Sequence, residues 1–210
     1  MPELPEVHAL AADLDRRLRG RTVDRLEVLS FAALKTFDPP VAALGGHSIL
    51  SVARHGKFLN LAIGDLHLVM HLARAGWVRW NDGSSSKPVR PGRSPLAARL
   101  VLDDGAGIDV TEAGTKKGLA IYVVKEPADV PGIARLGPDP LGDEFTLDMF
   151  TGILAAAGRA QIKGVLRNQS TIAGIGNAYS DEILHVARMS PFKPAAMSAD
   201  AARLYEAVQS

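Results

Sequence analysis

The sequence of 210 residues contains no cysteine, which excludes a disulfide framework, a cysteine nucleophile and any thiolate-bound zinc or iron–sulfur centre within these residues. An excess of either charge is missing too: 24 basic against 23 acidic side chains leave a formal net charge of +1. A polyanionic partner must therefore be held by a local patch and not by bulk charge. No apolar run approaches the roughly 18 residues that a membrane helix needs, and Glu3 and Glu6 stand where a signal peptide carries basic residues. These absences predict a soluble, cytoplasmic chain. Its length and its 47% of hydrophobic residues suffice for one large domain or two modest ones.

The pattern of residues falls into three parts. Pro5 near a helix start, followed by Val7, Leu10, Ala11, Leu14 and Leu18 at three- and four-residue spacing, predicts an amphipathic helix over 4–18 that Gly20 stops. Strand-like runs follow at Thr22–Leu29, His47–Ala53, Lys57–Ile63, Leu66–Leu72, Gly76–Trp80, Ala97–Leu102, Gly107–Thr111 and Leu119–Val124. Such a series predicts a β-sandwich or barrel, with hairpin turns at Gly64-Asp65 and within Asp103–Gly107. The interval Asp82–Pro95, with Lys87, Arg90 and Arg93, reads as a mobile basic loop. Residues 126–145, rich in proline and glycine, read as an interdomain connection between a domain at 1–125 and a helical one at 146–210. In the latter, Thr146 caps a helix ending near Gly158, a short turn spans Ile162–Leu166, Asn177 opens a further helix and Ser198 caps the last. That helix runs to Ser210 without a C-cap, so the helical domain is expected to be incomplete there.

Four groups of residues could carry chemistry. Loss of Met1 would make Pro2 a secondary amine. An α-amino group has a pKa near 8, about two units below lysine, so a useful fraction is unprotonated at neutral pH. Such an amine attacks an aldehyde-level carbon to give an iminium, an electron sink for elimination, and Glu3 stands beside it to move protons. The plain alternative is that Pro2, Glu3, Pro5 and Glu6 only favour a first helical turn. The segment Arg54-His55-Gly56-Lys57-Phe58 offers either a solvated hairpin or a phosphate contact through Lys57. The pair Gly174 and Gly176 before Asn177 offers either a tight turn or an anion site of backbone N–H groups. His67 and His71 lack a third ligand and are read as packed or surface residues, not as a metal site. Trp77 and Trp80, on opposite faces of their run, are expected to divide between core and edge.

The opening MPELPEV, then RHGKF, MHLARAGW, LGPDPL and IAGIGNAYSDEIL in that order, resemble the formamidopyrimidine-DNA glycosylase and endonuclease VIII family over Pro2 to about Pro191. The resemblance implies an α+β fold: an N-terminal helix with a two-sheet β-sandwich of about eight strands, then a helical domain with a helix–two-turns–helix motif. It implies excision of oxidised bases from damaged double-stranded DNA by a monomer, then cleavage of the abasic strand by β,δ-elimination. It makes Pro2 the nucleophile, Glu3 the general acid and Lys57 a catalytic-site lysine that contacts the lesion phosphate. It makes Asn177, and with it Lys163, a phosphate partner. No metal or organic cofactor is implied for this chemistry.

The departures from the family pattern lie at recognition positions. Relatives carry a zinc finger built on four cysteines, and none of those ligands is present in these residues. The chain is accordingly expected to be either truncated or from a reduced branch. Arg74 stands where many members place a void-filling methionine, and Lys116 and Lys117 stand where others have an arginine and an aromatic wedge. The choice between oxidised purine and oxidised pyrimidine is set at such positions. The competing reading is a non-catalytic damage-sensing or structural DNA-binding protein on the same scaffold. Retention of Pro2 beside Glu3 favours the enzyme, since a pure binder needs no amine beside an acid.

Overall fold

The computed structural model describes residues 1–83, 95–197 and 200–210. Most of the expected basic loop at Asp82–Pro95, and Ser198 as a helix cap, lie outside the described residues. The chain divides into two compact units, Met1–Ala134 and Arg135–Ser210.

The first unit opens with helix α1, Leu4–Leu18, whose Val7, Ala11, Leu14 and Leu18 are buried as their spacing predicts. Gly20, at φ 79°, takes the left-handed conformation that a side chain resists and turns the chain into the strands. These are β1 (Val23–Val28), β2 (Ile49–His55), β3 (Phe58–Ile63), β4 (Leu66–His71), β5 (Gly76–Asn81), β6 (Leu96–Leu102), β7 (Gly107–Glu112) and β8 (Ala120–Val124). They form two antiparallel four-stranded sheets, β1-β6-β7-β5 and β2-β3-β4-β8. Alternate residues of both sheets, among them Leu59, Leu61, Leu68, Met70, Leu100, Ile108 and Ile121, meet in one core with the apolar face of α1. The strands are therefore readable to within one or two residues at their ends, the main difference being that β2 continues through Arg54 and His55.

Helix α1 is fixed to the sheet edge by a polar contact as well. The Asp15 carboxylate accepts the Val52 N–H at 2.7 Å, and with the Arg19 guanidinium this bond holds the carboxyl below its ordinary pKa. The outer face of the second sheet is covered locally: Val130 is fully buried against Val69 and Val124, with Phe58, Tyr122 and Ile133 packed around them. A Cβ on Gly132 would lie 2.4 Å from Phe58 Cζ, so a side chain there would have to displace the ring. Residues 127–134, expected to connect two domains, thus pack on the sandwich, and the division between units falls after Ala134.

The two tryptophans correct an expectation. Both are exposed, Trp77 at 41% and Trp80 at 36%. β5 is the outer strand of its sheet and spends its inward positions on Gly76 and Val78. Trp80, near the strand end, is instead flanked by the guanidinium groups of Arg17 and Arg21 at 5.6 and 5.8 Å from its ring.

The second unit is helical: α2 (Leu147–Ala157), α3 (Ile162–Arg167), α4 (Asn177–Val186) and α5 (Ala201–Gln209). Thr146 caps α2 as expected, accepting the Met149 N–H at 3.2 Å. Asp200 stands at the N-cap position of α5 without a side-chain capping bond. Phe150 is fully buried at the centre of this unit, with Phe145 and Tyr205 rings at 5.7 and 6.1 Å from its own.

Candidate active site and nucleic-acid interface

Pro2 and Glu3 immediately precede α1. Glu3 is its N-cap and forms a capping box with Glu6, whose carboxylate accepts the Glu3 N–H at 3.1 Å. Glu3 is only 4% exposed, unusual for a helix-capping acid, while Pro2 is half-buried. A pairing that local sequence explains as a simple helix start therefore presents a sheltered carboxyl one residue from a partly accessible proline.

Lys57 occupies the two-residue turn Gly56-Lys57 that joins β2 to β3, where His55 pairs with Phe58. Gly56 supplies the positive φ, 53°, that this tight hairpin requires at its first position. A lysine on such a turn is expected to be solvated, yet Lys57 is 6% exposed. Its charge acts on His71, which lies opposite Phe58 on β4 with the two rings 4.8 Å apart. Burial first, and the Lys57 cation second, lower the His71 pKa. The Ala73 N–H donates to His71 Nδ1 at 3.3 Å, which places the proton of the neutral ring on Nε2. His71 is thus a site residue that sequence reading misses, because its partner lies on another strand. His67 is engaged elsewhere: its Nδ1 lies 2.9 Å from Asn60 Oδ1, and Asn60 Nδ2 lies 3.1 Å from His55 Nε2.

Arg74 lies in the turn between β4 and β5 and is exposed. The reason is local: the Gly76 N–H bonds back to the Leu72 carbonyl at 2.8 Å, and Ala73 takes φ 52°, a conformation that costs a non-glycine residue energy and recurs near functional segments. This turn adjoins the segment that carries Lys116 and Lys117. The Ala113 N–H donates to the Ala75 carbonyl at 3.1 Å, and a Cβ on Gly118 would come within 3.1 Å of the Ala73 Cβ. Arg74 and Lys116 therefore stand on neighbouring segments of one lip of the first unit. Lys117, by contrast, donates to the Glu112 carbonyl at 2.6 Å.

In the second unit, Asn177 is exposed at the first position of α4, behind Gly176 as N-cap. Gly174, at φ 87°, makes the turn that leads in. The expected row of ligand-facing amides is shorter than the glycines suggest. The Gly174 N–H donates to Gln169 Oε1 at 2.9 Å, and the Ala173 N–H donates to the Pro138 carbonyl at 3.0 Å. Gln169 also donates through Nε2 to the carbonyls of Ile175 at 2.6 Å and Arg167 at 2.9 Å. Its carboxamide is the brace of this loop, and nothing in a single glutamine's sequence context signals that. Lys163 on α3 bonds Asp181 of α4 at 2.5 Å, tying the two helices across the glycine loop.

This architecture is shared with known DNA-repair proteins. The MutM (Fpg) protein of Thermus thermophilus superposes with a TM-score of 0.81 at 32% identity, over 99% of this chain and 73% of that one. A solved structure of MutM in complex with carbocyclic 8-oxo-G containing DNA gives 0.85 at 25% identity, over 99% of this chain and 77% of that one. Residues 1–114 match the formamidopyrimidine-DNA glycosylase N-terminal domain and residues 136–210 the formamidopyrimidine-DNA glycosylase H2TH domain. The formamidopyrimidine-DNA glycosylase of Heliobacterium modesticaldum is 33% identical over all of this chain and 76% of its own length. The chain belongs to the formamidopyrimidine-DNA glycosylase family.

Proposed function

We propose that the chain is a DNA repair glycosylase and abasic-site lyase acting on oxidised bases in duplex DNA. The observation that carries this reading is the sheltered Glu3 carboxyl beside Pro2 at the start of α1, in a chain whose named relatives are glycosylases. After removal of Met1 the Pro2 amine attacks C1′ of an extruded nucleotide and the oxidised base departs as its glycosidic bond breaks, and Glu3 protonates O4′ as the C1′–O4′ bond opens to the iminium. The resulting iminium acidifies the adjacent carbon and permits elimination of the 3′ phosphate. Lys57 holds the lesion phosphate. Asn177 and Lys163 grip backbone phosphates, and Arg74, Lys116 and Lys117 meet the duplex at the lip. This chemistry asks for no metal or organic cofactor within these residues. We further propose that the chain acts as a monomer in the cytoplasm, on nucleoid DNA; among the described residues no helix is long and apolar enough to cross a membrane.

The test is borohydride reduction during reaction with an abasic duplex. A covalent protein–DNA adduct is expected from the processed chain and none from a chain whose N-terminus is blocked by an uncleaved tag. Full-yield trapping by the blocked chain would refute the role of the Pro2 amine.

A further inference from the structure

Glu112, the last residue of β7, is 3% exposed, and its polar groups bond two segments, the start of β6 and the crossing that follows β7. Its N–H donates to the Pro95 carbonyl at 2.7 Å, at the entrance to β6. Its carbonyl accepts the Lys117 ammonium at 2.6 Å. Carboxyl oxygen Oε1 accepts two backbone N–H groups, from Gly118 at 2.6 Å and Leu119 at 2.9 Å. In the sheet it lies opposite Gly76, two residues beyond Arg74. Residues 113–119 carry the chain from one sheet to the other, and the buried carboxyl replaces the ladder partners that this crossing lacks. A buried carboxyl is costly unless its oxygens are hydrogen-bonded, so its bonds fix the crossing in one shape.

We infer that Glu112 is a positioning residue that sets the separation of Arg74 and Lys116, and through it the grip of the lip on DNA. By fixing Gly118 against Ala73, its carboxyl locks the segment bearing Lys116 to the turn bearing Arg74. Preorganisation of this kind affects binding more than bond-breaking, because the groups it aligns, Arg74 and Lys116, act on the duplex and not on the reacting carbon. The inference rests on the glycosylase reading above.

The experiment measures KM, kcat and salt dependence of strand cleavage on an abasic duplex, with thermal melting of each variant. Loss of two hydrogen bonds to a carboxyl in Glu112→Ala should raise KM about tenfold with kcat within about twofold. Glu112→Gln, whose amide oxygen can accept the same two N–H groups, should stay within about threefold of the parent. Lys116→Ala should cost clearly less in the Glu112→Ala background than alone, because the loop that presents the cation is already released. Where Glu112→Ala does not fold, Glu112→Asp, one methylene too short to reach both N–H groups, carries the same cycle. A fall in kcat at unchanged KM, equal damage by Gln and Ala, or additive effects with Lys116→Ala would overturn the inference while leaving the glycosylase reading intact. Absence of cleavage and trapping by the parent chain would instead overturn that reading and this inference with it.

Discussion

The candidate reacting groups of the first unit and the candidate phosphate-holding groups of the second lie in opposite environments. In the first unit, Glu3 and Lys57 are 4% and 6% exposed, so each is surrounded by protein that can hold it in position. In the helical unit, Asn177 is exposed and Lys163 is half-buried in a pair with Asp181. There the backbone does the shaping, through Gly174 and the Gln169 brace. The difference fits a division of labour in which sheltered groups react and exposed groups hold a charged strand. It also ranks the consequences of mutation, since a buried group has neighbours built for it and an exposed one has water as a substitute.

The largest effect should come from Glu3→Gln. Removing a general acid costs typically 10²–10⁴-fold, and the loss should be greater for excision of an oxidised base than for cleavage of a ready-made abasic site. Equal losses on both substrates, in gel-based cleavage assays, would break the assignment of Glu3 to the sugar-opening step. Lys57→Ala should follow, with about ten- to hundredfold weaker reaction from loss of a charge-assisted contact. It should also raise the His71 pKa, read by NMR titration, because one of the two causes lowering it is gone. Gln169→Ala should reduce affinity for DNA about three- to tenfold, with little change in salt slope, since no charge is lost. The smallest effect is expected at Lys163: alanine there should lower the salt slope by roughly one, and an unchanged slope would assign the residue wholly to its bond with Asp181.

The His71 pKa in the fold lies below its ordinary 6.5, so between those two values the unfolded chain binds more protons than the folded one. Stability should therefore fall as pH drops through about 6.5 and level off below the folded pKa. Replacement of His71 by a non-titrating residue such as glutamine should flatten that part of the melting profile. A profile identical to the parent would show that the ring does not titrate differently in the fold.

Much of the fold is legible along the chain because it is written in local pattern. α1, the strands, the Gly64-Asp65 turn and the Thr146 cap follow from periodicity and from residue types that suit one backbone conformation. Pro2, Glu3, Lys57 and Asn177 stand out as ordered motifs. Glu112, His71 and Gln169 do not, because their importance lies in partners brought by other strands or by loop closure. The tryptophans mislead for a related reason: alternation along β5 tells which residues share a face, and not that this strand lies at the rim of its sheet.

The placement of the tryptophans has an experimental consequence. The sequence contains two, both on β5 of the first unit, while the second unit is built of helices and carries Tyr179 and Tyr205. Emission excited selectively at the indole band therefore watches the sandwich alone, with Trp80 flanked by two guanidinium groups as the more sensitive reporter of loosening where α1 meets β5. Far-ultraviolet circular dichroism near 222 nm weights the helices instead, those of the second unit together with α1. In a denaturant titration, coincident curves from the two signals would mean that the chain melts as one cooperative body, and separated curves would resolve the sandwich from the helices without a label.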